Sequence, residues 1–167
     1  MYLLADLLFI IGSIFFFFSF KEKSKNKTLI FQFVSILFFN FGLYLYNVVE
    51  ASLFVSLISL FSLTLGLFAK EKPKRIITIL TPFIAILSIL FLDYDIGTFL
   101  TILGTMFSAI AALSKDIFKM KLFYLFSNIT WLFFDIYIQS IGAIIFDLVG
   151  MIALYIFFKN YLQEKKL

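Results

Sequence analysis

Apolar residues in this chain do not alternate with polar ones; they come in blocks, and the polar residues are gathered between them. Seven blocks stand out, at roughly 2–20, 28–46, 51–69, 76–92, 97–113, 119–138 and 141–159. Each is long enough to cross a hydrocarbon layer of ~30 Å at ~1.5 Å per helical residue. The connections between them read KEKSKNK, NVVE, KEKPKR, DYDI, SKDIFKMK and QSI. Only helices and closed barrels satisfy their backbone hydrogen bonds in lipid, and blocks of this length are helical rather than strand-like. The pattern predicts an all-α membrane protein of seven transmembrane helices.

Composition agrees. Of 167 residues, 63% are hydrophobic and 14% charged, against about 45–50% and about 25% in an ordinary soluble domain. The 26 phenylalanines carry no functional assignment, because base composition of the genome can account for them. With no cysteine and no histidine, the chain has no thiolate chemistry, disulfides, Cys/His zinc sites or histidine proton relay. The opening MYLLADLLFI lacks a basic n-region and a small-residue cleavage site, so the first segment is expected to stay in place.

The net charge of +4 could suggest an anionic partner such as nucleic acid, but its distribution explains it otherwise. All 14 Lys and Arg residues lie in the first, third and fifth connections and at the C-terminus. The even connections hold Glu50, Asp93 and Asp95 and no basic residue. Short loops rich in Lys and Arg stay cytoplasmic. The expected topology is therefore seven spans, N-terminus outside and C-terminus inside, with no nucleic-acid partner.

A shift of 92 residues overlays the first three blocks on the last three without a gap. Gly12 then meets Gly104, Lys23 and Lys27 meet Lys115 and Lys119, Ser35 meets Ser127, Ala51 meets Ala143, and Phe39 falls on Trp131. The fourth block has no counterpart. One span between two triplets makes both triplets run the same way, as parallel repeats related by an axis along the membrane normal. The expected division is 1–69 as a first three-helix bundle, 70–96 as a linker carrying helix 4, and 97–167 as a second bundle.

Within the second half, Gly104-Thr105, Ser108, Met120, Phe126-Ser127, Trp131, Ser140-Ile141-Gly142 and the acid Asp147 resemble the YgjV family of bacterial inner-membrane proteins. Where such proteins tend to have Asn, this chain has Asp135. The first half resembles the family around Phe38-Phe39 and Ala51-Ser52. The resemblance implies the bacterial cytoplasmic membrane and transfers no activity. The 3 + 1 + 3 plan is more distantly similar to SWEET sugar transporters and to vitamin-precursor transporters of the PnuC type. Those carry prolines in the first two spans of each triplet, whereas this chain has only Pro73 in a loop and Pro82 in the linker span. The resemblance extends to architecture, not to a proline hinge.

Lipid-embedded helices meet through small and polar residues. Gly97, Thr101, Gly104, Ser108 and Ala111 form such a ribbon on the fifth segment, Ser52, Ser56, Ser59 and Gly66 on the third, and Ala143, Asp147 and Gly150 on the seventh. Asp147 is thereby expected to point inward. Ser127, Trp131 and Asp135 follow at i, i+4 and i+8 on one face of the sixth segment. A turn near Ser140 folds Asp135 and Asp147 to comparable depth. They are expected to share with Trp131 a polar crevice opening to the outer face, with Asp147 the deeper acid and Asp135 close enough to its helix end to meet water. Phe39, Asn40, Ser127 and Asn128 complete the candidate binding residues, and Ser35 is a further polar contact. Intramembrane acids are expensive and mark functional sites by default.

Two function classes fit. One is a carrier for a small polar solute, with Trp131 against a ring or sugar face and the acids accepting hydrogen bonds or carrying a proton. The other is a structural or accessory membrane protein whose polar residues only tie helices together. A carrier needs a hydrated cavity between the triplets; a structural protein needs Asp147 bonded to Ser or Tyr in a dry core. No nucleophile–base pair, metal cluster or phosphate loop accompanies the acids, so neither enzymatic activity nor a cofactor is expected. The expected partners are the lipid bilayer and a small solute, with assembly into a homo-oligomer left open.

Overall fold

The computed structural model describes residues 2–46, 50–68 and 95–164, with side chains in the third helix described from Ser56 onward. The expected span 76–92 and Pro82 lie outside the described residues. Within them are six helices and no strand: α1 (Tyr2–Lys21), α2 (Lys25–Leu45), α3 (Glu50–Phe68), α4 (Ile96–Leu113), α5 (Ile117–Tyr137) and α6 (Ile141–Glu164). Of these, α1, α2, α4 and α6 are long and apolar enough to cross a membrane by length and composition alone.

Local chemistry sets the helix ends. Asp95 caps α4 by accepting the Thr98 N–H at 2.6 Å, and Asp116 caps α5 by accepting the Lys119 N–H at 2.8 Å. An extended residue with a side-chain oxygen facing the first-turn N–H groups is what a helix start requires. The turn between α5 and α6 closes α5 with a double bond: Ser140 N–H to Asp135 O and Gln139 N–H to Ile136 O, both at 3.1 Å. Gln139 takes the left-handed conformation that this ending demands, at φ 56°. Ser140 then starts α6, its hydroxyl accepting the Ala143 N–H at 3.3 Å.

Each described helix packs chiefly against two others, and the six close into a ring in chain order, with α6 returning to α1. The tightest pairs are α1 with α2, α4 with α5, α1 with α6, and α3 with α4. Two of these pairs are parallel. Asp6 meets Gly142 and Phe16 meets Gly150 along α1 and α6, while Ser59 meets Thr105 and Gly66 meets Ala112 along α3 and α4. Thus α3 packs more closely on α4 than on α2, and α6 more closely on α1 than on α5.

The first and fifth connections and the close of α6 gather at one end. There Lys23 pairs with Glu164 at 2.5 Å. Lys121, fully buried, donates to the carbonyls of Phe20 and Glu22 at the close of α1 and lies over the Phe157 ring. Tyr2, Tyr46, Asp95 and Tyr137 mark the opposite end, where the Tyr2 and Tyr46 rings meet and the Tyr137 hydroxyl donates to Asp95 at 3.1 Å.

Polarity is arranged inside out. Leu3, Leu7, Ile10, Ile14 and Phe18 are exposed along α1, as are Phe133 and Ile136 on α5 and Ile145, Leu148 and Ile152 on α6. Buried positions hold Gln32, Asn128, Asp135, Asp147 and a set of serines and threonines. Lipid is the solvent such a surface suits.

Candidate functional site

A cavity of about 40 Å³ lies between the helices of the ring, and all six described helices contribute to its wall. At roughly 10–15 Å³ per water this holds about three water molecules. It is far below the ~300 Å³ at which pockets for larger ligands begin.

Its wall is built from α2 and α5 at mid-length. Gln32, Ile36 and Phe39 come from α2, and Tyr124, Ser127, Asn128 and Trp131 from α5. Gln32 and Tyr124, Ile36 and Asn128, and Phe39 and Trp131 are each 92 positions apart. The Phe39 and Trp131 rings touch edge to face, centroids 5.6 Å apart. Just behind them the same bond occurs twice at that offset: Ser35 donates to Gly12 O at 2.9 Å, and Ser127 to Gly104 O at 2.8 Å. Corresponding shapes thus carry different chemistry, amide against phenol and apolar against amide.

The remaining wall comes from α1, α3, α4 and α6, through Phe16, Ser56, Ser59, Ser108, Phe146 and Asp147. Ser108 donates to Ser59 at 3.1 Å and Ser59 to Thr105 at 3.3 Å, a hydroxyl chain between α3 and α4. Ser56 donates to the Asn40 side chain, whose amide in turn donates to Ile36 O at 2.8 Å.

Among the described residues, four buried polar atoms on this wall have no donor or acceptor beyond the Asp135–Asp147 contact: Gln32 Oε1, Tyr124 OH, Asn128 Nδ2 and Asp147 Oδ2. An unmet buried donor or acceptor costs about 1–3 kcal/mol, and native proteins rarely leave one unpaired. Here four converge on one space, and an acceptor, a donor, a phenol and a carboxyl are all offered to whatever occupies it.

Asp135 stands behind this wall. It is 0% exposed, neither of its carboxyl oxygens has a donor, and its carboxyl lies against that of Asp147, itself 2% exposed. The expectation that Asp135 meets water near its helix end does not hold. The α5–α6 turn folds tightly over it, and Asp6 fastens α1 beneath the start of α6 by accepting the Gly142 N–H at 3.2 Å. Trp131 and Asp147 both line the cavity between the helices. Lys121 is ~21 Å from Asp135 along α5 at ~1.5 Å per residue, and no basic side chain among the described residues faces the pair.

Of the residues singled out from sequence, Trp131, Phe39, Ser127, Asn128 and Asp147 line the cavity, Asp135 contacts it through Asp147, and Asn40 reaches it only through Ser56. Asn40 itself borders a shallow surface groove with Leu37, Phe41, Tyr44, Leu57 and Leu60. Sequence reasoning missed Gln32 and Tyr124, although the 92-residue shift pairs them. No cluster of three or more acids that could hold a metal ion occurs among the described residues.

No curated protein and no solved structure matches this chain. A family model described as a bacterial inner membrane protein, Imp-YgjV, matches residues 3–164, and the chain belongs to that family.

Proposed function

We propose that the chain is a seven-span carrier for a small polar solute, with its binding chamber on the axis between two parallel three-helix repeats. The observation that carries this reading is the convergence of four unpaired buried polar atoms on one cavity walled by every described helix. A purely structural role gives no reason to leave those groups unmet. The runner-up, an accessory protein whose chamber holds only structural water, rests on the cavity's small size.

Several facts support the repeat. The serine-to-glycine bond recurs at an offset of 92, the Phe39–Trp131 pair meets itself across the interface, and each third helix crosses to the other triplet. Because α3 and α4 run the same way, the chain between them has to return from one end of the bundle to the other. The apolar stretch 76–92 has the length for that return. Residues 1–69 and 97–167 are then the two units and 70–96 the linker. The gathering of the first and fifth basic connections and the close of α6 at one end favours a cytoplasmic C-terminus and an outer N-terminus. Binding near mid-membrane at a repeat interface is the common plan of secondary transporters. The reading assigns no enzymatic role and no cofactor.

The chain's only tryptophan lies on the chamber wall, so its emission reports occupancy. Purified full-length protein titrated with sugars, nucleosides and vitamin precursors is expected to show a saturable Trp131 change with one class. Asn128→Ala is expected to weaken that binding by about tenfold, one hydrogen bond's ~1.4 kcal/mol. If no class shifts the emission, and proteoliposomes take up no more solute than protein-free vesicles, the carrier reading falls.

A further inference from the structure

Two carboxyl groups buried against each other, with no cation nearby, pose a problem of charge. Asp135 and Asp147 come from adjacent helices, and apart from each other three of their four oxygens have no hydrogen-bond partner among the described residues. The surroundings offer no compensation. From α1 comes another acid, Asp6, engaged by the Gly142 N–H. From α5 come the phenols of Tyr124 and Tyr137, the second engaged with Asp95 at the start of α4. Nothing basic faces the pair from any described helix. Unpaired charge in so dry a place is not sustained; groups there neutralise instead. Two adjacent carboxyls in such a place cannot both ionise, so the pair holds at least one proton.

Their placement gives that proton a route. Asp147 is part of the chamber wall; Asp135 is not, and sits two residues from the end of α5, beneath the exposed Gln139 turn. A proton entering at the turn meets Asp135 first, Asp147 second and the chamber third. We propose that Asp135 and Asp147 together form a proton-binding site that couples proton entry from the outer face to solute movement through the chamber. The inference rests on the carrier reading above. A metal ion is a poorer occupant, because the pair brings only carboxyl oxygens from two residues and no third acid stands near.

Infrared spectroscopy of the full-length protein in lipid tests the site without any solute. The wild type is expected to show the carbonyl band of a buried protonated carboxylic acid at neutral pH. The band should change in both Asp135→Asn and Asp147→Asn, which keep shape and hydrogen-bonding capacity, and vanish in the double variant. A wild type without the band, or a double variant that keeps it, overturns the site. Uptake of the solute identified through Trp131 fluorescence tests the coupling. An inward proton gradient is expected to stimulate wild-type uptake about 5-fold or more, the lower end of ordinary coupling between two sites. That stimulation should be absent from either single variant. Uptake that ignores the proton gradient, or follows sodium instead, overturns coupling and leaves the carrier standing. If no solute is carried at all, carrier and coupling fall together, while the infrared band still decides whether the pair holds a proton.

Discussion

Asp95 shows what one side chain does for the end of a helix. Its carboxylate accepts the Thr98 N–H at 2.6 Å and the Tyr137 hydroxyl at 3.1 Å. The bond from the Thr98 backbone, ahead of the side-chain bonds, holds its carboxyl below the usual carboxylate range. A depressed folded value means the stabilisation is complete above the unfolded pKa of ~3.9 and is lost as pH falls through the lower folded value. Asp95→Ala is expected to cost about 0.5–1 kcal/mol at neutral pH, the lower half of the capping range because water reaches the site. Asp95→Asn should recover most of it and remove the acid dependence. Thermal unfolding in detergent across the acid range checks both, and equal stability of the wild type and Asp95→Ala at neutral pH refutes them. The same end of the molecule shows where residue-level reading stops. That Asp135 and Asp147 flank one turn was visible in the spacing. That the turn seals Asp135 from water was not, because it depends on Gln139 adopting a left-handed conformation no sequence rule assigns to glutamine.

Elements were more legible than their ends. Apolar length measures the membrane crossing, not the helix, and lysine is a good helix former. Thus α2 begins at Lys25 rather than near residue 28, and α6 runs past Lys159 to Glu164. That extra turn carries Glu164 to Lys23 and joins the last helix to the first connection. Small-residue ribbons correctly marked close approaches, but which helices approach was hidden. Gly66 shows the consequence. A Cβ there would come within 2.8 Å of the Ala112 carbonyl oxygen, a backbone atom that no side-chain rotation can move aside. Gly66→Ala is therefore expected to push α3 from α4 and to cost about 1–3 kcal/mol, the ordinary range for overpacking. The hydroxyl chain Ser59–Ser108 lies about two turns away on the same pair, so cross-linking between cysteines placed at Leu63 and Ala109 should also slow. A Gly66→Ala protein as stable as the wild type would mean the two helices are free to separate.

At the scale of the whole molecule, the expected orientation and the expected pair of triplets rest on charge parity and the 92-residue shift, which are properties of the chain alone. The ring was not readable. Nothing in a sequence of uniformly apolar helices tells α3 to rest on α4 rather than on α1, since lipid-facing and partner-facing positions differ only in a few serines and glycines. The parallel run of α3 and α4 nevertheless makes one global consequence sharp. Ser24, after α1, and Ser114, after α4, stand at the same end, while Gln139 stands at the other. If residues 69–94 cross the membrane once, Ser24 and Ser114 face the cytoplasm together. If they do not cross, the two serines face opposite sides. The absence of native cysteine makes single replacements clean reporters. In intact cells a membrane-impermeant maleimide is expected to label Gln139→Cys and to spare Ser24→Cys and Ser114→Cys; in inverted vesicles the pattern should reverse. Labelling of Ser114→Cys alone, or of Ser24→Cys together with Gln139→Cys, would reduce the crossings to six and remove the parallel repeat. Labelling of Ser24→Cys and Ser114→Cys alone from outside would keep seven spans but invert them, and the proton route through Asp135 would then begin in the cytoplasm.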